Sequence, residues 1–250
     1  MTRPSRSLAL AFMCLIHITS HVNGQLPNEQ LWLECMLNYP FANSFNLENA
    51  FTYSELLNSP KWRSLDYSPT LEYALTNNID ILGGGTLAYT VQQEDYNTFE
   101  ARIMVGTRIH FTPNSRILSR LQIRLEQRNF KNLETESWET VYRPRARAEL
   151  LIPINRKTYF EDKLWYGIVD AELLFAVDDD VDERFANRFR LRTGIGYRLS
   201  YSSRVEFIYM LQESRNGIDE SFSSTDNIFR FRYKHYFRRN KPTKATGTGN

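Results

Sequence analysis

Residues 187–199 read N-R-F-R-L-R-T-G-I-G-Y-R-L. Phe189, Leu191, Thr193, Ile195, Tyr197 and Leu199 share one parity, and Arg188, Arg190, Arg192 and Arg198 share the other. A strand throws successive side chains to opposite faces, so this segment forms a strand with one apolar and one cationic side. Residues 116–130, R-I-L-S-R-L-Q-I-R-L-E-Q-R-N-F, repeat the alternation, and it recurs along nearly the whole chain. The segments run longer than soluble strands usually do. A series of long two-faced strands predicts a closed barrel, which leaves no sheet edge, and a barrel built for a membrane.

Strands are expected at about 30–39, 47–56, 65–75, 79–92, 98–111, 116–130, 138–152, 164–177, 187–199, 204–214 and 227–237. T-N-N at Thr76, T-P-N-S at Thr112 and Y-S-S at Tyr201 are turn sequences. Residues 131–137, 178–183 and 215–225 are longer and polar. Short turns alternating with longer loops fit an all-β, antiparallel up-and-down transmembrane barrel. Bacterial single-chain barrels usually have even strand counts, so about 12 strands are expected, with 10 as the alternative. A further strand would lie near 59–64 or 156–162. Pro69 and Pro144 inside strands mark bulges or strand ends. Gly83, Gly84 and Gly85 in succession predict a kink or a close approach by a bulky group in the lumen.

Alternation alone does not say which face points inward. Apolar parity is sustained over about 10 to 14 residues, where 9–11 tilted residues cross a bilayer. Tyr39, Phe99, Phe111, Phe130, Trp138 and Phe237 stand near strand ends, where an interfacial girdle belongs. The membrane orientation puts a charge ladder in the lumen: Arg120, Arg124, Arg143, Arg145, Arg147, Asp170, Glu172, Arg188, Arg190, Arg192, Arg198, Glu206, Arg230 and Arg232, with Arg116 and Glu139 at strand ends. A ladder of cations alone would repel itself. Arginine pairs with carboxylates on adjacent strands in a two-pronged geometry. Cross-strand ladders are therefore expected where Arg145 and Arg147 meet Asp170 and Glu172.

The N-terminus fits a secretory signal over residues 1–24, with Arg3 and Arg6 preceding an apolar run at 8–18. The barrel is then residues 25–237, and residues 238–250 form a disordered basic tail. Mean hydropathy is −0.49. In a barrel, a polar lumen cancels the lipid-facing half, so this value does not argue for solubility. Net charge is +2, which gives no global field for nucleic acid. Cys35 would remain alone after signal cleavage and makes no internal disulfide.

Several segments resemble a bacterial outer-membrane family catalogued as domain of unknown function 2490. They are R-P-R-A-R-A-E-L at Arg143, Y-G-I-V-D-A-E-L-L-F at Tyr166, the segment at Asn187, R-V-E-F-I-Y-M-L-Q-E at Arg204 and D-N-I-F-R-F-R-Y at Asp226. The likeness covers most of the chain and is weakest before Leu65. It implies an outer-membrane barrel with no established activity, and so assigns no functional residues. Chains of this kind usually stop near the terminal aromatic, whereas this one continues past Phe237.

No catalytic constellation stands out, so no enzyme activity, cofactor or metal is expected. His235 has apolar-face parity, where barrel hydrolases acting on lipid place a histidine beside a serine. The D-D-D-V-D-E run at 178–183 lacks the glycine and spacing of a calcium loop. The expected function is an integral outer-membrane barrel of a Gram-negative bacterium, a narrow channel or a structural barrel with a salt-bridged lumen. A lipid-modifying barrel enzyme and a soluble, lipocalin-like ligand-binding barrel are the alternatives. The expected partners are outer-membrane lipid, the barrel assembly machinery and a small anionic solute.

Overall fold

The computed structural model describes residues 28–41, 44–57, 62–92, 97–113, 116–175, 187–215 and 223–237. The strands are β1 (Asn28–Pro40), β2 (Phe45–Leu56), β3 (Trp62–Ala74), β4 (Ile79–Gln92), β5 (Thr98–His110), β6 (Leu118–Asn132), β7 (Trp138–Pro153), β8 (Leu164–Leu174), β9 (Asn187–Arg198), β10 (Ser203–Arg215) and β11 (Ser223–Tyr236). They form one closed barrel in sequence order. Neighbours in sequence pair antiparallel, and β1 closes on β11 in parallel, with Asn28 opposite Asp226 and Asn38 opposite Tyr236. The eleven strands are those read from the alternation, a count between the twelve and ten expected. An odd count forces the parallel seam, because the first and last strands then run the same way. Residues 156–162 form bends and a turn, and β3 begins at Trp62.

The connections sort to opposite ends. The last residues of β1, β3, β5, β7 and β9 lie at one, the turn end. The last residues of β2, β4, β6, β8 and β10 lie at the other, the loop end. The signal segment, the acidic run at 178–183 and the basic tail fall outside the described residues.

The apolar parity faces out. Leu65 is 61% exposed, Ile103 62% and Val105 59%, all in mid-strand. Among the described residues, charge on the outward parity occurs at Glu29, Glu55, Arg63, Lys131 and Glu213, all within a few residues of the loop end. Aromatics gather at the turn end, where Tyr39 stacks on Phe237 at 4.0 Å, Phe45 meets Tyr73 at 4.8 Å and Trp165 meets Tyr197 at 4.7 Å. A soluble ligand-binding barrel would have the reverse arrangement, with the apolar face inside.

The prolines and glycines act through the backbone. Pro69 faces out in β3, opposite Asn49 of β2. A Cβ on Gly84 would lie 2.4 Å from the Pro69 carbonyl oxygen, and one on Gly85 would lie 2.8 Å from that of Arg102. The close approach expected at the triple glycine is thus made chiefly by the backbone of β3 and β5, with the cavity-lining Met104 side chain 3.2 Å from the Gly84 Cβ position. Pro144 sits where the pairing of β7 with β8 ends, and its carbonyl accepts the Phe175 N–H at 3.1 Å.

Candidate functional site

The barrel encloses a cavity of about 1210 Å³. It is lined from Asn28, Trp62 and Gln92 at the loop end to Pro40, Tyr201 and Phe237 at the turn end, so it follows the length of the barrel. Its two walls differ. β2, β3 and β4 contribute Ala50, Thr52, Ser54, Ser64, Ser68, Thr86, Ala88 and Thr90. β5 to β11 contribute all the cations and five of the carboxylates, while Glu34, Glu48, Asp66 and Glu72 stand on β1 to β3. Fourteen cationic side chains and nine carboxylates line the cavity, an excess of positive charge.

The charges on the heavy wall interlock diagonally. Arg124 stands opposite Arg145, and Arg102 opposite Arg128, so two rungs set cation against cation. Such rungs are destabilising unless an anion lies between them. Glu126 does this for the first, 3.0 Å from Arg124 Nε and 2.8 Å from Arg145 Nη1, and also meets Arg143 at 3.0 Å. Glu100 does it for the second, taking a two-pronged contact from Arg128 at 2.7 and 3.0 Å and one from Arg102 at 2.7 Å. A third cation rung, Arg198 opposite Arg204, is met by a loop. Tyr159, in the 154–163 connection, turns inward and is buried. Its carbonyl accepts from Arg198 Nη1 at 3.0 Å and its hydroxyl from Arg204 Nη1 at 2.9 Å. Burial pushes the Tyr159 phenol above its ordinary value.

The expected ladder between β7 and β8 is present, one rung off the direct register. Arg147 lies opposite Glu172, yet Glu172 pairs with Arg145 at 2.6 Å, and Arg147 reaches Asp170 at 2.9 Å. Arg192 joins both acids, touching Asp170 at 2.6 Å and Glu172 through its other terminal nitrogen. Asp170 and Glu172 are each 2% exposed and Glu126 1%. Buried carboxylates in such number require this degree of pairing. Arg120 pairs with Glu149, which also takes Arg147 at 2.6 Å. Glu206 receives the Tyr166 hydroxyl at 2.7 Å, Lys234 at 3.0 Å and Arg232 at 3.1 Å, and Arg232 continues across the seam to Glu34 at 2.5 Å. Arg188, Arg190 and Arg230 line the cavity. Arg116, expected inside, precedes β6 in an exposed turn, and Glu139 is exposed at the loop-end rim. Both have inward parity; Arg116 lies beyond the last β6–β7 pair, Leu118 with Leu151, whereas Glu139 is still paired, opposite Phe130, at the exposed rim.

Some interior residues carry no alternating charge and were not singled out from the sequence. Trp32 lies under Arg230, whose guanidinium carbon is 4.5 Å from the ring centroid. Gln212 accepts from Arg190 Nε at 2.7 Å and donates to Asp226 at 2.6 Å. Tyr166 lies flat against the Gly196 backbone, where an added Cβ would fall 2.3 Å from its ring. The visible signal for the last is a glycine on the inward parity of an arginine strand, which leaves room for a neighbour's ring.

The two histidines among the described residues sit apart. His110 faces in and lies 2.8 Å from Asp80. His235 faces out at the turn end, with Nδ1 3.2 Å from the Tyr233 hydroxyl, which lies 3.3 Å from Ser203 Oγ. Cys35 is free and borders an outward apolar groove of about 400 Å³ with Leu33, Phe51, Val205 and Phe231. Among the described residues no group of His, Cys, Asp and Glu is placed to hold a metal ion.

No curated protein matches the chain. A family model described as a protein of unknown function, DUF2490, matches residues 29–223, which run from the first strand to the start of the last. The chain, with its closed eleven-stranded barrel and arginine-lined interior, belongs to the DUF2490 family.

Proposed function

We propose that the protein is an integral β-barrel of a bacterial outer membrane, and that its interior is a narrow conduit favouring small anions. One observation carries the reading. An apolar outer belt, charged only near the loop end, surrounds a cavity that follows the barrel axis and carries more cations than carboxylates. Exposed apolar surface on this scale is costly in water and suited to lipid, while a positive lining sets anion preference in pores. Eleven strands stand between small barrels filled by side chains and large ones with wide aqueous channels. Detergent-folded protein in planar bilayers should give discrete conductance steps, with a reversal potential shifted toward the anion in a salt gradient. A bilayer that stays silent with folded, inserted protein overturns the conduit. Recovery of the protein without detergent, and no gel shift on boiling, overturns the membrane location.

The chain from Ser203 through Tyr233 to His235, beside an outward apolar groove, favours a second reading as a lipid-acting hydrolase. In it His235 would draw a proton from Ser203 through the Tyr233 hydroxyl. An unchanged lipid profile in cells carrying His235→Ala would rule it out.

A further inference from the structure

We infer that the half of the lumen nearer the loop end holds a binding site for a small oxyanion, a phosphate or carboxylate group, between Arg190, Arg230 and Trp32; the inference rests on the barrel interior being accessible to solutes. The acids near these arginines are already taken. Glu172 is engaged by Arg145 at 2.6 Å and by Arg192, leaving Arg190 at 3.6 Å. Glu34 is engaged by Arg232 at 2.5 Å, leaving Arg230 at 3.6 Å. Both remaining contacts exceed hydrogen-bond distance. Two guanidiniums that face the cavity, from β9 and β11, are thus left with their nearest paired carboxylates beyond hydrogen-bond distance.

Both are held in place. Arg190 donates through Nε to Gln212, which in turn donates to Asp226 at 2.6 Å, so a neutral amide rather than a carboxylate positions it. Arg230 is 8% exposed and lies over Trp32, and its Nε is buried without a hydrogen-bond partner. The Arg190 guanidinium carbon is 6.0 Å from the same ring. Trp32 is itself fixed, with Nε1 donating to Gln30 at 2.8 Å. Two positioned guanidinium forks with incomplete pairing match the acceptor geometry of an oxyanion and do not match chloride.

Trp32 makes the site observable. Titrating the detergent-folded barrel with inorganic phosphate, and separately with succinate, should change tryptophan fluorescence saturably. Trp32→Phe should abolish the change. Arg190→Gln and Arg230→Gln should each weaken binding by about tenfold or more. Arg63→Gln, on the outer rim, should not. Heat-modifiability on a gel confirms that each variant is folded. Saturation by phosphate alone identifies a phosphate site, and saturation by succinate alone a carboxylate site. Chloride competing as well as either, or binding unchanged in both arginine variants, overturns the inference. A silent bilayer with phosphate binding intact would remove the conduit and leave the site. Anion-selective conductance without oxyanion binding would do the reverse.

Discussion

The wall built by β2, β3 and β4 and the wall built by β6 to β9 solve different problems with the same strand geometry. The first presents small side chains joined by short hydroxyl contacts, such as Ser68 to Thr86 at 2.9 Å and Thr90 to Ser64 at 3.1 Å. Each hydroxyl contact is local, and these serines and threonines can change without stranding a charge; the exception on this wall is Glu72, which pairs with Arg108 of β5 at 2.7 Å. The second presents long side chains whose heads are buried together. There each carboxylate serves several arginines, so the wall holds as a unit. The small wall leaves the space, and the heavy wall supplies its positive lining.

That difference can be broken most severely at Glu172. Replacing it with Gln leaves Arg145 and Arg192 buried without their shared anion, and should cost about 3–5 kcal/mol, read as a lower boiling-shift midpoint and lower urea resistance. Glu48 faces the same cavity from β2 with no ion pair among the described residues, so Glu48→Gln should change stability by less than about 0.5 kcal/mol. Equal losses at the two positions would erase the distinction between the walls. Gly196→Ala should follow, because its Cβ would meet the Tyr166 ring and displace its bond to Glu206; about 1–3 kcal/mol is expected in the same assay. Ala50→Phe fills space on the small wall instead. It should leave folding within about 1 kcal/mol and lower single-channel conductance. The smallest effect belongs to the turn-end loop. Glu161 accepts the Thr158 and Lys157 N–H groups at 2.9 and 3.1 Å, and these bonds hold its carboxyl below the ordinary carboxylate value. A depressed carboxylate contributes stability above its unfolded pKa and loses it as pH falls through the folded one. Protease nicking of residues 154–163 should therefore increase slightly below about pH 4, and Glu161→Gln should remove that dependence.

The strands were legible because their period is strict. Residues 79–92 match β4, and 187–199 exceed β9 by one residue. Elsewhere the ends shift by a few positions, as at β6, because pairing with neighbours and not the alternation decides where a strand stops. The arginines and glutamates of the ladder were legible as a face. Between β7 and β8 the partners were legible as a set but the offset was not, since Arg145 takes Glu172 on the diagonal while standing opposite Leu174. The inward turn of Tyr159 left no trace in its own segment, because its cause lies in Arg198 and Arg204 on other strands. Trp32 and Gln212 carry no charge; closure of the sheet sets Trp32 opposite Arg230, and the β9–β10 register sets Gln212 opposite Arg190.

The seam between β1 and β11 joins residues nearly the whole chain apart, as in the contact of Glu34 with Arg232. Every other strand pair forms between sequence neighbours and pays a short loop-closure cost, whereas this one pays the longest. Until the last strand arrives, the first has a bare edge and Glu34 lacks its cations. By sequence separation the closing step carries the largest loop-closure cost of any pairing in the barrel, and a helper that held β1 open while the rest is laid down would act at that step.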